Sequence, residues 1–151
     1  MFAIDEIDKK ILSELLKDSK RSYRELAKAI GVSAATVISR IQRLEQAGVI
    51  TEYTVMIDFE RIGFELTAVT ELTVSRGKLI ETQEEIAKLP YVCAVYDVTG
   101  EIDSIVVAKF KNRKELSEFP KDLLSMPFVE RTNTHLVLNT VKEDYRMVKN
   151  L

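Results

Sequence analysis

Residues 22–48 carry a run of backbone signals that leave little choice of local structure. Ser22-Tyr23-Arg24-Glu25 has the pattern of a capping box, in which the serine oxygen takes the N3 amide and the glutamate reaches back to the cap. A helix therefore runs on through Leu26 and Ile30. Gly31 ends it, because glycine enters the left-handed conformation past a helix terminus at little cost. Ser33 follows as the cap of another helix, from Ala34 to about Ala47, which turns Val37, Ile41 and Leu44 to one side and is closed by Gly48. Upstream, Asp5 caps a helix whose Ile7, Ile11, Leu12 and Leu15 recur at helical spacing. Three short helices, each with one apolar stripe, then share one core.

The short glycine-containing connection Gly31-Val32-Ser33 joins the second and third helices as in a helix-turn-helix, where the later helix enters the DNA major groove. With Val37, Ile41 and Leu44 turned inward, the candidate DNA-binding residues are Ser33, Ala34, Ala35, Thr36, Ser39, Arg40 and Arg43. Small side chains permit close approach to base edges, hydroxyls and guanidinium groups donate to bases and phosphates, and a helix N-terminus attracts phosphate. The overall charge of −2 conceals a basic stretch, since residues 17–43 hold seven Lys or Arg against two acidic residues. Val49–Val55 is β-rich and predicts a short wing or a connecting strand, giving a (winged) helix-turn-helix. A three-helix protein-interaction module is the plainer alternative that helices with basic faces leave open.

From Leu66 the pattern changes. Strands are expected at about 66–74, 91–98, 104–110 and 128–141, with helices near 79–89 and 113–126, the order βαββαβ of a ferredoxin-like domain in an α+β protein. Leu89-Pro90-Tyr91-Val92 and Met126-Pro127-Phe128-Val129 repeat one apolar-Pro-aromatic-Val pattern 37 residues apart, each closing a helix and opening a strand. The division expected is a reader domain at 1–52, a connecting strand or linker at 53–64 and an αβ domain at 65–151. Pro120 lies inside the second of these helices, where a proline kinks or breaks the chain.

Two helices can cover only one face of the four-stranded antiparallel sheet. Strand 91–98 places Val92, Ala94, Tyr96 and Val98 on one side and Cys93 and Val95 on the other, and strand 104–110 is apolar on both. The second face needs a cover, and the simplest cover is another copy of the chain. A homodimer is expected.

Other classes are poorly supported. No apolar stretch is long enough to span a membrane, and the start lacks the basic and apolar regions of a secretory signal, so the expected location is cytoplasmic. One cysteine, Cys93, and one histidine, His135, make neither a disulfide nor a metal site, and both are expected to pack, Cys93 in the core and His135 in it or at the surface. No nucleophile, base and orienting partner stand in any enzyme pattern, although Asp97, Glu101 and Asp103 gather near one loop. No cofactor is expected.

These residues together resemble the Lrp/AsnC family of transcriptional regulators, also called leucine-responsive or feast/famine proteins. The resemblance rests on Asp5 through Leu12, Tyr23-Arg24-Glu25-Leu26-Ala27, Gly31-Val32-Ser33, Thr36-Val37, Arg40-Ile41, Leu44-Glu45 and Gly48-Val49-Ile50. In the second half it rests on Thr99-Gly100 with Asp103, on Leu116 and Phe119, and on Val129, Thr132, Thr134, Val137 and Lys142. It implies sequence-specific regulation of transcription on double-stranded DNA, dimers formed through the sheets, and further assembly into octamers. It also implies amino acids or related metabolites bound near the loop joining the two central strands, here Thr99, Gly100 and Asp103; Thr132 and Thr134, which alternate on the last strand and point to one face, are secondary candidates from a neighbouring subunit. Gly100 would let backbone amides approach a carboxylate, and Asp103 would accept from an ammonium group. A plain hairpin turn explains the same two residues. Tyr91 and Phe128 stand where the family commonly has glycine, which bears on higher assembly. An architectural DNA-binding protein without an effector is compatible with the same fold.

Overall fold

The structure, a computed structural model, describes residues 2–147. Its contacts separate two compact units: one holds residues 2–56 together with residues 142–147, the other Ile57–Val141. The sequence-based division leaves that last stretch with the αβ domain, whereas its contacts lie with the helical unit.

The first unit contains α1 (Glu6–Lys17), α2 (Tyr23–Ile30) and α3 (Ala34–Gln46). The caps form as the sequence dictates. Ser22 Oγ accepts the Glu25 amide at 3.3 Å while the Glu25 carboxylate accepts the Ser22 amide at 2.7 Å. Gly31 takes φ +84°, a left-handed backbone that glycine alone adopts freely, and its amide donates to the Ala27 carbonyl. Ile11, Leu26, Ala27, Val37, Ile41 and Leu44 form the buried core. No strand forms directly after α3: residues 51–58 run on without regular structure and leave Tyr53, Val55 and Met56 exposed, so neither the wing nor the connecting strand expected there is present among the described residues. Tyr53 instead donates its hydroxyl to Glu45 at 2.9 Å, and loss of solvation, followed by that carboxylate, pushes the phenol up to about 12.

The second unit contains β1 (Leu66–Val74), α4 (Leu79–Ala87), β2 (Val92–Asp97), β3 (Ser104–Phe110), α5 (Arg113–Ser125) and β4 (Val129–Leu136). The four strands form one antiparallel sheet in the order β2-β3-β1-β4. Ala68, Leu72, Val106, Ala108 and Phe110 of the sheet pack with Ile86, Phe119 and Leu123 of the helices. Pro120 neither breaks nor divides α5, which runs as one helix through it. One forfeited hydrogen bond and the ring's steric cost, about 3 kcal/mol, are matched by burying Phe119 and Leu123, each worth about 1.5–3 kcal/mol.

β2 departs from the alternation expected of it. A register shift between Val92 and Ala94 sets Val92 opposite Ala108 and Val95 opposite Val106 on the helix side, and Ala94 opposite Val107 and Tyr96 opposite Ile105 on the open side. Cys93 lies within that irregularity and is exposed, not in the core. The open face is therefore apolar through Val69, Ala94, Ile105 and Val107, and polar toward β4, where Asn133 donates to Glu71 at 3.0 Å and His135 is exposed. Phe119 should dominate the stability of this unit, because its ring meets Phe110 at 5.2 Å and Tyr91 at 5.5 Å between centroids. In urea unfolding, Phe119→Ala should cost about 3–5 kcal/mol, and a loss under about 1 kcal/mol would contradict this packing.

Candidate nucleic-acid interface and effector loop

Ser33 sets the start of α3, its Oγ accepting the Thr36 amide at 3.0 Å and lying 2.8 Å from the Thr36 hydroxyl. With Val37, Ile41 and Leu44 buried, Ala35, Ile38, Ser39 and Gln42 are exposed at spacings i, i+3, i+4 and i+7, and Arg43, one turn after Ser39, is exposed beside them. Ala35 and Ser39 therefore stand where the sequence places them. Ala34 does not face outward: it is half-buried against the helical core, because the cap turns the first helical residue toward α2. Ile38 and Gln42 were not among the candidates, although completing the helical stripe from Ala35 and Ser39 selects both.

Arg40 and Arg43 lie on the flank of α3 that faces α1. Arg40 contacts Asp5 closely and Asp8 at 3.3 Å, and Arg43 contacts Asp8 closely. Lys17 and Arg21 are likewise engaged, both with Glu14. Of the seven basic groups in residues 17–43, only Lys20, Arg24 and Lys28 lack an ion pair among the described residues, and all three are exposed. Arg24 and Lys28 are one helical turn apart on α2. The exposed basic groups of this stretch without an ion pair among the described residues thus lie on α2 and the loop before it.

In the second unit the loop after β2 contains Gly100 at φ +127°, where an L side chain would be strained, with open space around it. Thr99 and Gly100 are exposed. Asp103 ties the loop to β1: its amide donates to the Leu72 carbonyl at 2.9 Å and its Oδ2 accepts the Val74 amide at 2.8 Å. Thr132 pairs with the same Leu72 from β4, so Asp103 and Thr132 flank one end of β1. Thr134 lies one step further in, 3.0 Å from the buried Thr70 hydroxyl, and is thereby committed to the sheet. Asp103 Oδ1 has no hydrogen-bond partner among the described residues. Among those residues no helix is long and apolar enough to cross a membrane.

A capped reader helix behind a tight glycine turn, joined to a βαββαβ unit with one open sheet face, defines a helix-turn-helix protein of the transcription-regulator class. The AsnC-type helix-turn-helix domain matches residues 4–45 and the Lrp/AsnC ligand binding domain matches residues 67–147. The chain belongs to the Lrp/AsnC family. An uncharacterised HTH-type transcriptional regulator of Pyrococcus abyssi is 49% identical over 144 residues, covering 95% of this chain and 98% of that protein. The HTH-type transcriptional regulator FL11 of Pyrococcus horikoshii is 40% identical over 140 residues, 93% of each chain. Among solved structures, a Neisseria meningitidis transcriptional regulator in complex with L-methionine aligns with TM-score 0.86 and 27% identity over 96% of each chain. The feast or famine regulatory protein of M. tuberculosis, also complexed with L-methionine, aligns with TM-score 0.84 and 28% identity over 95% of this chain and 97% of that one.

The contacts around Asp5 set an acid limit for the first unit. The Asp8 amide and then the Arg40 guanidinium hold the Asp5 carboxyl at about 2, below its ordinary 3.8. A lowered carboxylate stabilises the fold fully above its unfolded value and loses that contribution as pH falls through the folded one. The gap in Tm between the native chain and Asp5→Asn should therefore be constant above about pH 4 and narrow toward pH 2. A gap that does not change with pH would remove the carboxylate charge from this account.

Proposed function

We propose that this chain regulates transcription as a homodimer or higher oligomer that reads a specific DNA sequence through α3 and responds to an amino acid. The observation that carries the reading is the exposed stripe Ala35, Ile38, Ser39 and Gln42 on a helix whose opposite face is buried. Each type suits a base edge: Ala35 allows close approach, Ile38 offers an apolar surface to a thymine methyl, Ser39 donates or accepts, and Gln42 fits the two-point pattern of adenine. Ser33 and Thr36 lie at the N-terminus of α3, where amides and helix dipole favour phosphate. Arg24 and Lys28 on α2, the helix that crosses the backbone in this motif, and Lys20 in the loop before it supply the phosphate contacts.

Two readers grip one duplex if the open sheet faces pair. Val69, Ala94, Ile105 and Val107 give that face an apolar centre, and Tyr96 stands beside it. A second copy covers the apolar strip without demanding new polar partners for it. The amino acid is assigned to the Gly100 loop, with backbone amides near Gly100 meeting the carboxylate, Asp103 Oδ1 meeting the ammonium, and Thr99 and Thr132 beside them. L-methionine is the first compound to test, given the two methionine complexes among the aligned structures.

Selection of duplexes from a random pool, with and without L-methionine, tests the reading as a whole. A pair of related half-sites set by helical turns, with occupancy shifted by the ligand, is the expected result, and a pool without enrichment would contradict it. Arg24→Gln and Lys28→Gln should each weaken binding to every sequence and reduce the slope of log affinity against log salt by about 0.9. Val107→Glu should turn the dimer into a monomer in analytical ultracentrifugation, since it places a charge at the centre of the apolar strip; an unchanged dimer would move the interface elsewhere.

A further inference from the structure

Asp8 is a carboxylate without solvent exposure, in the first turn of α1. A buried charge persists only where its oxygens are hydrogen-bonded and its charge is paired. Here the Asp5 amide donates to Oδ2 at 3.0 Å, Arg40 approaches both oxygens at 3.3 and 3.4 Å, and Arg43 makes a close contact to Oδ2. The outer side of the cluster is held as well. Arg40 also reaches the Asp5 carboxylate, and the Arg43 guanidinium lies 4.9 Å from the Phe2 ring centre. A network of residues 32 and 35 apart in the chain thus binds the first helix of the unit to the reader helix.

The rest of the α1–α3 contact is apolar, with Ile11 packed in one cluster with Val37, Ile41 and Leu44. Apolar stripes of this kind fix that two helices touch more firmly than they fix how one is rolled, since cores lose uniqueness before they lose stability. Roll matters for reading. Turning a helix by about 20° about its axis moves side-chain tips at a radius of about 5–6 Å by roughly 2 Å. That displacement exceeds the range of a hydrogen bond to a base edge. Directional contacts from Arg40 and Arg43 to one buried carboxylate resist such a turn. Withdrawing either guanidinium to a phosphate would leave the buried Asp8 charge less compensated, which is costly.

We infer that Asp8 is a positioning residue for DNA reading, which fixes the roll of α3 through Arg40 and Arg43, and that these two arginines serve as its counter-ions and not as phosphate contacts. The inference rests on α3 being the DNA reader. The basic residues then divide by role, with Lys20, Arg24 and Lys28 meeting the backbone while Arg40 and Arg43 hold the reader in register with it.

Asp8→Asn keeps the shape of the side chain and one acceptor oxygen while removing the charge. Binding is measured on a selected duplex and on an unrelated one, each across a salt series, well below the melting temperature of every variant. The expected result for Asp8→Asn is a fall of about tenfold or more in the ratio of specific to non-specific affinity, which lowered stability alone does not produce in a folded protein. Arg40→Gln and Arg43→Gln should lower the same ratio and leave the salt slope on the unrelated duplex unchanged, in contrast to Arg24→Gln. An Asp8→Asn protein that keeps its ratio within about twofold overturns the inference, as does a slope reduced by about 0.9 in either arginine variant, which would make that arginine a phosphate contact. If Asp8→Asn does not fold, the two arginine slopes decide. A native chain that ignores both duplexes contradicts the DNA-reading function itself; the clamp is then judged by thermal melts of Asp8→Asn, Arg43→Gln and the double variant, where additive effects would overturn it and strong coupling would support it.

Discussion

A helix reads DNA only when one of its faces is fixed to the protein and another is left free. In α3 those requirements fall on different stripes of the same 13 residues. Val37, Ile41 and Leu44 are buried, Ala35, Ile38, Ser39 and Gln42 are exposed, and Arg40 and Arg43 on the flank are held by Asp5 and Asp8 of α1. The same constraint acts on the second unit, where α4 and α5 cover one face of the sheet and leave Val69, Ala94, Ile105 and Val107 on the other. In both units, the function assigned to the chain uses the face left over after the core is built.

Much of this was legible in the sequence where the controlling physics is local. Ser22, Glu25, Gly31 and Ser33 announce their caps and turn within a few residues of where they act, and α2 and α3 start where these residues dictate. β1 and β3 occupy the expected residues, β1 as a strand of alternating burial and β3 as a largely apolar run. What the sequence concealed depends on partners distant in the chain or on a change of register. Asp8 gives no sign of being buried, since its counter-ions lie on another helix. The irregularity at Cys93 reverses the faces assigned to part of β2, as one displaced residue moves every later side chain across the sheet. The absent wing has a similar cause: residues 51–55 are β-prone, but no neighbouring strand in the described chain pairs with them.

Electrostatics shows the same distinction. A count of charges places a net positive stretch at residues 17–43 and does not show which of those cations are ion-paired. Four of the seven stand in ion pairs, to Glu14, Asp5 or Asp8. Asp103 is a comparable case on the acidic side. It resembles a free ligand acceptor in the sequence, yet one of its oxygens already holds the end of β1 through the Val74 amide. The same β1 strand carries the Leu72 pairing with Thr132.

The claim on which all of this depends is that α3 lies in a major groove. Chemical footprinting of the native chain on a selected duplex measures it directly, with major-groove methylation protection read base by base. Protected purines are expected in two clusters centred one or more helical turns apart, on the faces where two α3 helices would sit. Folded protein that leaves those positions as reactive as in free DNA at low ionic strength would contradict it.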